Sequence, residues 1–287
     1  MRIASIATAE GPSIGIRDDD GSVIDLRSLG PEVPTDLRQL LELGPNALAD
    51  VDRRGRTTGK RLDPDQMRFL PVIPHPHAVW CAALNYPTHV EEGNWDSPSR
   101  PPFFLRVAGS LCGHLEPIVQ PSVSERLDYE GELALVIGRR ARHVPTADAY
   151  DVIAGYSCFN DGSVRDWQRH TAQITSGKNF AATGAFGPWL TTRDEVPDIE
   201  DAQLTTRLNG RVMQQTKIRE MIFGIPELIN YLSTISELLP GDVVVTGTPG
   251  GVGARQTPQL FMNPGDVVEV EIDRVGLLVN PIVREES

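Results

Sequence analysis

The sequence predicts an α+β, β-rich fold, and three observations carry that expectation. Its 26 glycines and 23 prolines are spread along 287 residues and mark many turns. From about residue 75, short apolar runs recur between those turns. Only three stretches have apolar residues at helical spacing. Hydrophobic residues make up 40% of the chain, enough for a core, which sets it apart from disordered acidic chains.

Ser5-Ile6-Ala7, Ser13-Ile14-Gly15-Ile16 and Val23-Ile24-Asp25-Leu26 read as short strands of a small N-terminal β unit. Asp18-Asp19-Asp20-Gly21 joins the last two. It lacks EF-hand spacing and reads as a hairpin turn. Leu37, Leu40, Leu41 and Leu43 approach helical spacing over 34–43, with Thr35 or Asp36 as cap. Residues 51–61, rich in Arg, Lys and Gly, read as an exposed connection. The run Leu70-Pro71-Val72-Ile73-Pro74-His75-Pro76 is a proline-stiffened linker. The expected division is therefore a small domain over 1–74 and a catalytic domain over 75–287. In the latter, strands are expected at 132–138, 153–159, 204–208, 242–246, 267–272 and 276–279, and helices at 163–173 and 225–236. In the second helix Ile225, Leu228, Ile229 and Leu232 share a face, and Pro226 suits the first turn.

Lys and Arg number 27 and Asp and Glu 39, a net charge of −12. Such a chain is not built to neutralise nucleic-acid phosphates or to sit on an anionic membrane. No apolar run approaches the ~20 residues that span a bilayer, and Met1 to Ile6 opens no signal-type apolar run. Cys81, Cys112 and Cys158 are widely spaced and odd in number, so neither a disulfide framework nor a zinc knuckle is implied. A reduced, cytoplasmic setting is expected.

Five runs carry candidate chemistry. In Leu127-Asp128-Tyr129-Glu130-Gly131-Glu132-Leu133-Ala134-Leu135-Val136-Ile137, strand alternation puts Glu130 and Glu132 on one face, about 6–7 Å apart. Two carboxylates leading into a buried strand need a cation, and a hard divalent metal is the natural one. The same pattern describes a strand end with two solvated glutamates, and a lone Glu-x-Glu does not separate the two. Asp161 ends the apolar run 154–160, placed either to coordinate or to cap a turn. Lys178 is a counter-charge or an oxyanion donor. His89 and Glu92, three apart, are neighbours on a helical face, either a base with its orienting acid or an exposed ion pair. The glycine-rich loop of 241–253 lacks the Lys-Ser/Thr ending of a nucleotide cradle, which leaves Thr248 and its backbone open to a small anion.

In this order the runs resemble the fumarylacetoacetate hydrolase family over about residues 78–283. The most specific pieces are Asp128-Tyr129-Glu130-Gly131-Glu132-Leu133, Asn160-Asp161 with Arg165-Asp166-Trp167-Gln168, Met221-Ile222-Phe223, Gly241-Asp242 through Gly253, and Gly265-Asp266-Val267-Val268-Glu269-Val270-Glu271-Ile272. The resemblance implies a mixed β-sheet roll of the fumarylacetoacetase C-terminal type and a homodimer. It implies Mg²⁺, or Mn²⁺, on Glu130, Glu132 and Asp161. It makes His89 and Glu92 a dyad on a closing segment near Asn94-Trp95-Asp96, Lys178 the lysine beside the metal, and Gln168 and Thr248 holders of substrate oxygens. Two departures stand out. Asn179-Phe180-Ala181 replaces the frequent Ser-Phe-Asp, removing an acid near Lys178. Leu105-Arg106 replaces Phe-Leu-Lys, and a guanidinium there suggests a substrate-carboxylate contact at Arg106.

The implied activity is hydrolytic C–C cleavage of a β-diketo acid, an acylpyruvate-like compound, with water activated by His89 and Glu92. Decarboxylation or isomerisation of a small oxo acid uses the same metal–enolate chemistry. A non-catalytic scaffold is the rival of a different class, supported only by the altered surroundings of Lys178.

Overall fold

The computed structural model describes residues 1–63 and 67–286. The N-terminal unit opens with β1 (Arg2–Thr8), β2 (Gly11–Arg17) and β3 (Val23–Asp25). Alternation along β1 sends Ile3 to one core and Ala4 and Ile6 to another. Helix α1 (Leu37–Glu42) starts where expected, with the Asp36 carboxylate accepting from the Arg38 N–H at 2.8 Å.

Helix α2 (Pro45–Thr58) corrects the reading of 51–61 as an exposed connection. It buries only Val51 and Gly55, so it lacks the apolar stripe that marks a helix in sequence. The pairs Asp50–Arg54 and Asp52–Arg56 lace its surface four residues apart. The strands β4 (Lys60–Leu62) and β5 (Met67–Phe69) follow.

The remaining elements are β6 (Val79–Ala82), α3 (Pro87–Gly93), β7 (Phe103–Arg106), β8 (Leu111–Cys112), β9 (Ile118–Gln120), β10 (Leu127–Asp128), β11 (Gly131–Ile137), β12 (Ile153–Asp161), β13 (Ser163–Val164), α4 (Arg165–Gln168), α5 (Thr175–Lys178), β14 (Gly184–Thr192), β15 (Gln203–Leu208), β16 (Arg211–Lys217), α6 (Ile225–Ile235), β17 (Val243–Val245), β18 (Val267–Ile272) and β19 (Gly276–Arg284). The single helix expected over 163–173 is instead a short turn, α4, with a second, α5, folded back beside it. A Cβ at Gly177 would lie 2.6 Å from the Gln168 Cα, so the close return of α5 onto α4 requires glycine there.

The long sheet runs β4-β3-β2-β1-β14-β12-β11-β17-β6-β7, with β5 on β1 and β8 on β14. A five-stranded sheet runs β16-β15-β18-β19-β9. The sheets are mixed: β8 on β14, β6 on β17 and β9 on β19 are parallel, and the other pairs are antiparallel. β11 is buried on both faces. Leu133, Leu135 and Ile137 join a core with Val268, Val270 and Ile229, while Ala134 and Val136 join one with Ile14, Ile16 and Leu37. The long sheet therefore curls so that its N-terminal end closes a core over its centre. β1 pairs directly with β14, Arg2 opposite Thr191 and Ile3 opposite Leu190. The long sheet thus takes strands from both sides of residue 74.

Ile3 is fully buried at that seam. Ile3→Ala is expected to cost about 2–5 kcal/mol. Urea unfolding followed by far-UV circular dichroism and by tryptophan fluorescence is expected to give coincident transitions. A separate early transition would overturn the shared core.

Candidate active site

Antiparallel β11 and β12 set Gly131 opposite Asn160 and Glu132 opposite Phe159. That register brings Glu130, Glu132 and Asp161 together, buried, with ligand oxygens within 4.8 Å of one another. The Glu130 N–H donates to Asn160 Oδ1 at 2.9 Å, and the Asp161 N–H to the Glu130 carbonyl at 2.8 Å.

Three cations face this group. Lys178 Nζ donates to Glu130 Oε2 at 2.5 Å and Asp161 Oδ2 at 2.6 Å. Arg165 spans Asp128 Oδ2 and Glu130 Oε1, each at 2.7 Å. Arg106 Nη1 meets Asp161 Oδ1 at 2.5 Å. Asp128, Glu130, Glu132 and Asp161 therefore outnumber their cations by one, and the shortfall falls on Glu132. Among the described residues Glu132 has one hydrogen-bond partner, the Gly247 N–H at 2.5 Å. Burial, then repulsion from Asp161 and Glu130, pushes its carboxyl well above the usual range, against Lys178 and the Gly247 N–H. Burial also acts to raise Glu130, but Arg165, Lys178 and His89 outweigh it and hold that carboxyl low. Burial works against the charge on Lys178, and Asp161 and Glu130 restore it, raising the ammonium above its ordinary value. A buried all-oxygen donor set short of one positive charge fits a hard divalent cation.

The dyad stands on α3, which opens with Pro87 and ends at Asn94 in the left-handed region, φ 52°. His89 Nδ1 lies 2.7 Å from Glu92 Oε1. A carboxylate only accepts, so Nδ1 carries the proton and Nε2 is left as the basic nitrogen. Glu92 Oε2 accepts from the Gly251 N–H at 2.7 Å, fixing the acid from the glycine-rich loop.

His89, Glu130, Glu132, Asp161, Gln168, Lys178 and Thr248 all line one cavity of about 540 Å³. Thr248 is set by Gln214, whose Nε2 donates to its hydroxyl at 2.8 Å. Gln168 Oε1 accepts from Arg165 at 3.2 Å. Arg106 is a correction. Its side chain has no exposure and is not on the cavity wall. It is engaged by Asp161, Ser110, Thr183 and the Gly162 carbonyl, which leaves no fork for a substrate carboxylate. Ala181, where the resemblance led to the expectation of an acid, is exposed, and Lys178 has two carboxylate partners without it. The cysteines are free and buried, and burial pushes the Cys112 and Cys158 thiols up to about 12.

Sequence reasoning gave no role to Asp128 or Arg165. Asp128 accepts from Gly253 and Ala254 N–H groups at 2.8 and 2.9 Å and so shapes the loop under the dyad. Arg165 lines the cavity with a buried Nη2 that has no partner among the described residues. No local pattern marks either: Asp128 ends β10, Arg165 opens α4, and the two meet only in the folded chain.

A family profile described as "Fumarylacetoacetate (FAA) hydrolase C-terminal" matches residues 78–283. The chain belongs to the fumarylacetoacetate hydrolase family. Over 276 residues this family member is 36% identical to the mitochondrial oxaloacetate tautomerase FAHD2A of Bos taurus, covering 95% of this chain and 88% of that one. The fumarylacetoacetate hydrolase of Exiguobacterium antarcticum superposes with a TM-score of 0.86 at 30% identity, over 99% of this chain and 100% of the other. The maleylpyruvate hydrolase of Sphingobium sp. SYK-6, solved with manganese (II) ion and pyruvate, gives 0.82 at 27% identity over 100% of both chains. These relatives are named as enzymes of small oxo acids, one of them was solved with manganese (II) ion, and Glu130, Glu132 and Asp161 here form a buried group that could hold a metal ion. No helix among the described residues is long and apolar enough to cross a membrane.

Two outcomes follow from the charge balance. Glu132 has a folded pKa above its unfolded one, so the metal-free protein loses stability as pH rises through that raised value. Metal-free Glu132→Gln is therefore expected to melt higher than wild type near about pH 8, with the gap closing toward about pH 5. Mn²⁺ is expected to raise the wild-type melting temperature more as pH rises and to leave the variant nearly unshifted. Melts with EDTA or Mn²⁺ across that range check both. Arg106→Ala is expected to cost about 3–5 kcal/mol by stripping buried Asp161 of one of its two cations. A raised KM with unchanged denaturant stability would restore the substrate role.

Proposed function

We propose that this family member interconverts the enol and keto forms of a small 2-oxo dicarboxylic acid of the oxaloacetate kind, with Mg²⁺ or Mn²⁺ on Glu130, Glu132 and Asp161. The observation that carries the reading is the His89–Glu92 dyad facing that triad across one cavity. A cation held there by Glu130, Glu132 and Asp161 would supply Lewis acidity to the oxo acid. Tautomerisation moves one proton between the carbon beside the oxo group and the oxygen. His89 Nε2 takes or returns the proton at carbon, with Glu92 holding the ring. Lys178, kept charged by Glu130 and Asp161, faces negative charge as it develops on the oxygen. Gln168, Thr248 and the unpaired Arg165 Nη2 orient the substrate oxygens. The similarity to an oxaloacetate tautomerase over nearly the whole chain supports this reaction.

The second reading is C–C hydrolysis of an acylpyruvate, in which His89 Nε2 deprotonates a water. The likeness to a maleylpyruvate hydrolase solved with pyruvate favours it. A homodimer in a cytoplasmic setting belongs to the same proposal, and light scattering tests its oligomeric part.

The deciding assay follows the enol absorbance of oxaloacetate with Mg²⁺, Mn²⁺ or EDTA, and then an acylpyruvate panel. Metal-dependent enol decay without carbon loss supports tautomerisation. Decay at the buffer rate with release of pyruvate from acylpyruvates would replace it with hydrolysis, and CO₂ release with decarboxylation. His89→Ala is expected to lower turnover by about 10²–10⁴-fold with Mn²⁺ affinity retained.

A further inference from the structure

The cavity wall carries a cation that the proposed chemistry does not use. Arg255 follows the glycine-rich loop, is half-buried, and lines the same cavity as the triad. Its guanidinium carbon lies 4.9 Å from the centroid of the Trp95 ring. Trp95 in turn meets the His89 ring edge-on, with centroids 5.3 Å apart. Among the described residues no ion pair or side-chain hydrogen bond engages Arg255. The two buried cations of the cavity differ: Lys178 and Arg165 are paired with Asp161, Glu130 and Asp128, and beside those pairs only Arg165 Nη2 is left without a partner among the described residues. Arg169 also lines the cavity with no side-chain partner among the described residues, but it is exposed and its charge is screened by solvent.

We propose that Arg255 recognises the distal carboxylate of the substrate and so selects dicarboxylic over monocarboxylic 2-oxo acids. The inference rests on the proposed function only in placing the oxo-acid end of the substrate at the triad. A guanidinium over an aromatic ring keeps its planar N–H fork free, and that fork matches a carboxylate bidentately. Contact with Trp95 fixes the side chain beforehand and lowers the ordering cost of binding. Half-burial strengthens the pair above the level of an exposed one. Because Trp95 also meets the His89 ring, Arg255 stands on the same side of the cavity as the proton-carrying base.

The test compares oxaloacetate with 2-oxobutyrate, two four-carbon acids that differ in the distal carboxylate. Their dissociation constants are read from water-proton relaxation of the Mn²⁺-loaded protein, which needs no turnover. Wild type is expected to favour the diacid by about 10- to 100-fold. Arg255→Gln is expected to remove most of that preference while leaving 2-oxobutyrate and Mn²⁺ affinities unchanged, and Arg255→Lys to restore part of it. Equal weakening of both acids would make Arg255 a packing partner of Trp95 and overturn the proposal. So would a preference that survives Arg255→Gln or is lost only in Arg169→Gln. Diacid preference that depends on Arg255 without enol turnover would sink the proposed reaction and leave this assignment standing.

Discussion

Four carboxylates buried where β10, β11 and β12 converge are the constraint that organises this protein. An uncompensated buried charge costs several kcal/mol, so the chain must deliver cations from elsewhere. β7 delivers Arg106, α4 delivers Arg165, and α5 delivers Lys178. Each arrives from a different segment, and each ends on a carboxylate oxygen within 2.7 Å. The broken, folded-back path of α4 and α5 makes sense in this light. A continuous helix over 163–173 would present Arg165 and Gln168 to the cavity but carry Lys178 away from it. The compensation stops one charge short, at Glu132, and that shortfall makes the group a cation site rather than a closed salt-bridge network.

The dyad and the floor of the cavity are one connected unit. Glu92 and Asp128 hold backbone N–H groups of the same loop, Gly251 from above and Gly253 and Ala254 from below. Thr248 at the start of that loop is tied through Gln214 to β16, and its own hydroxyl donates to the Gly131 carbonyl at 3.0 Å. The orientation of His89 is therefore set by the strands that carry the triad, through a loop whose glycines expose its backbone.

Much of this was legible in the sequence because it depends on local periodicity. Alternation along 130–137 assigned the two faces of β11 correctly, and the spacing of His89 and Glu92 placed them on one helical face. The same logic found the strands at 153–159, 204–208 and 267–272 within a residue or two at most ends. It missed α2, because a helix that buries only Val51 and Gly55 leaves no apolar period. It missed β16, where the buried positions are the polar Gln214 and Thr216 and the apolar Val212 is exposed. It also missed what only pairing reveals. Nothing local says that β1 joins β14, or that Asp128 and Arg165 meet across 37 residues.

Arg106 shows why a residue type read correctly can still be given the wrong partner. The expectation rested on the guanidinium's ability to hold a carboxylate bidentately, and the structure uses a different property, its number of donors. One ammonium at this place would reach Asp161 but could not also serve Ser110, Thr183 and the Gly162 carbonyl. Space for the planar group comes from Gly184, where a Cβ would sit 2.7 Å from the guanidinium. The arginine thus clamps the end of β12 to the segments around it and holds Asp161 in place from behind. Precision at a cation site comes from what stands behind the ligands. Ala181, by contrast, lies at an exposed position, away from that buried support.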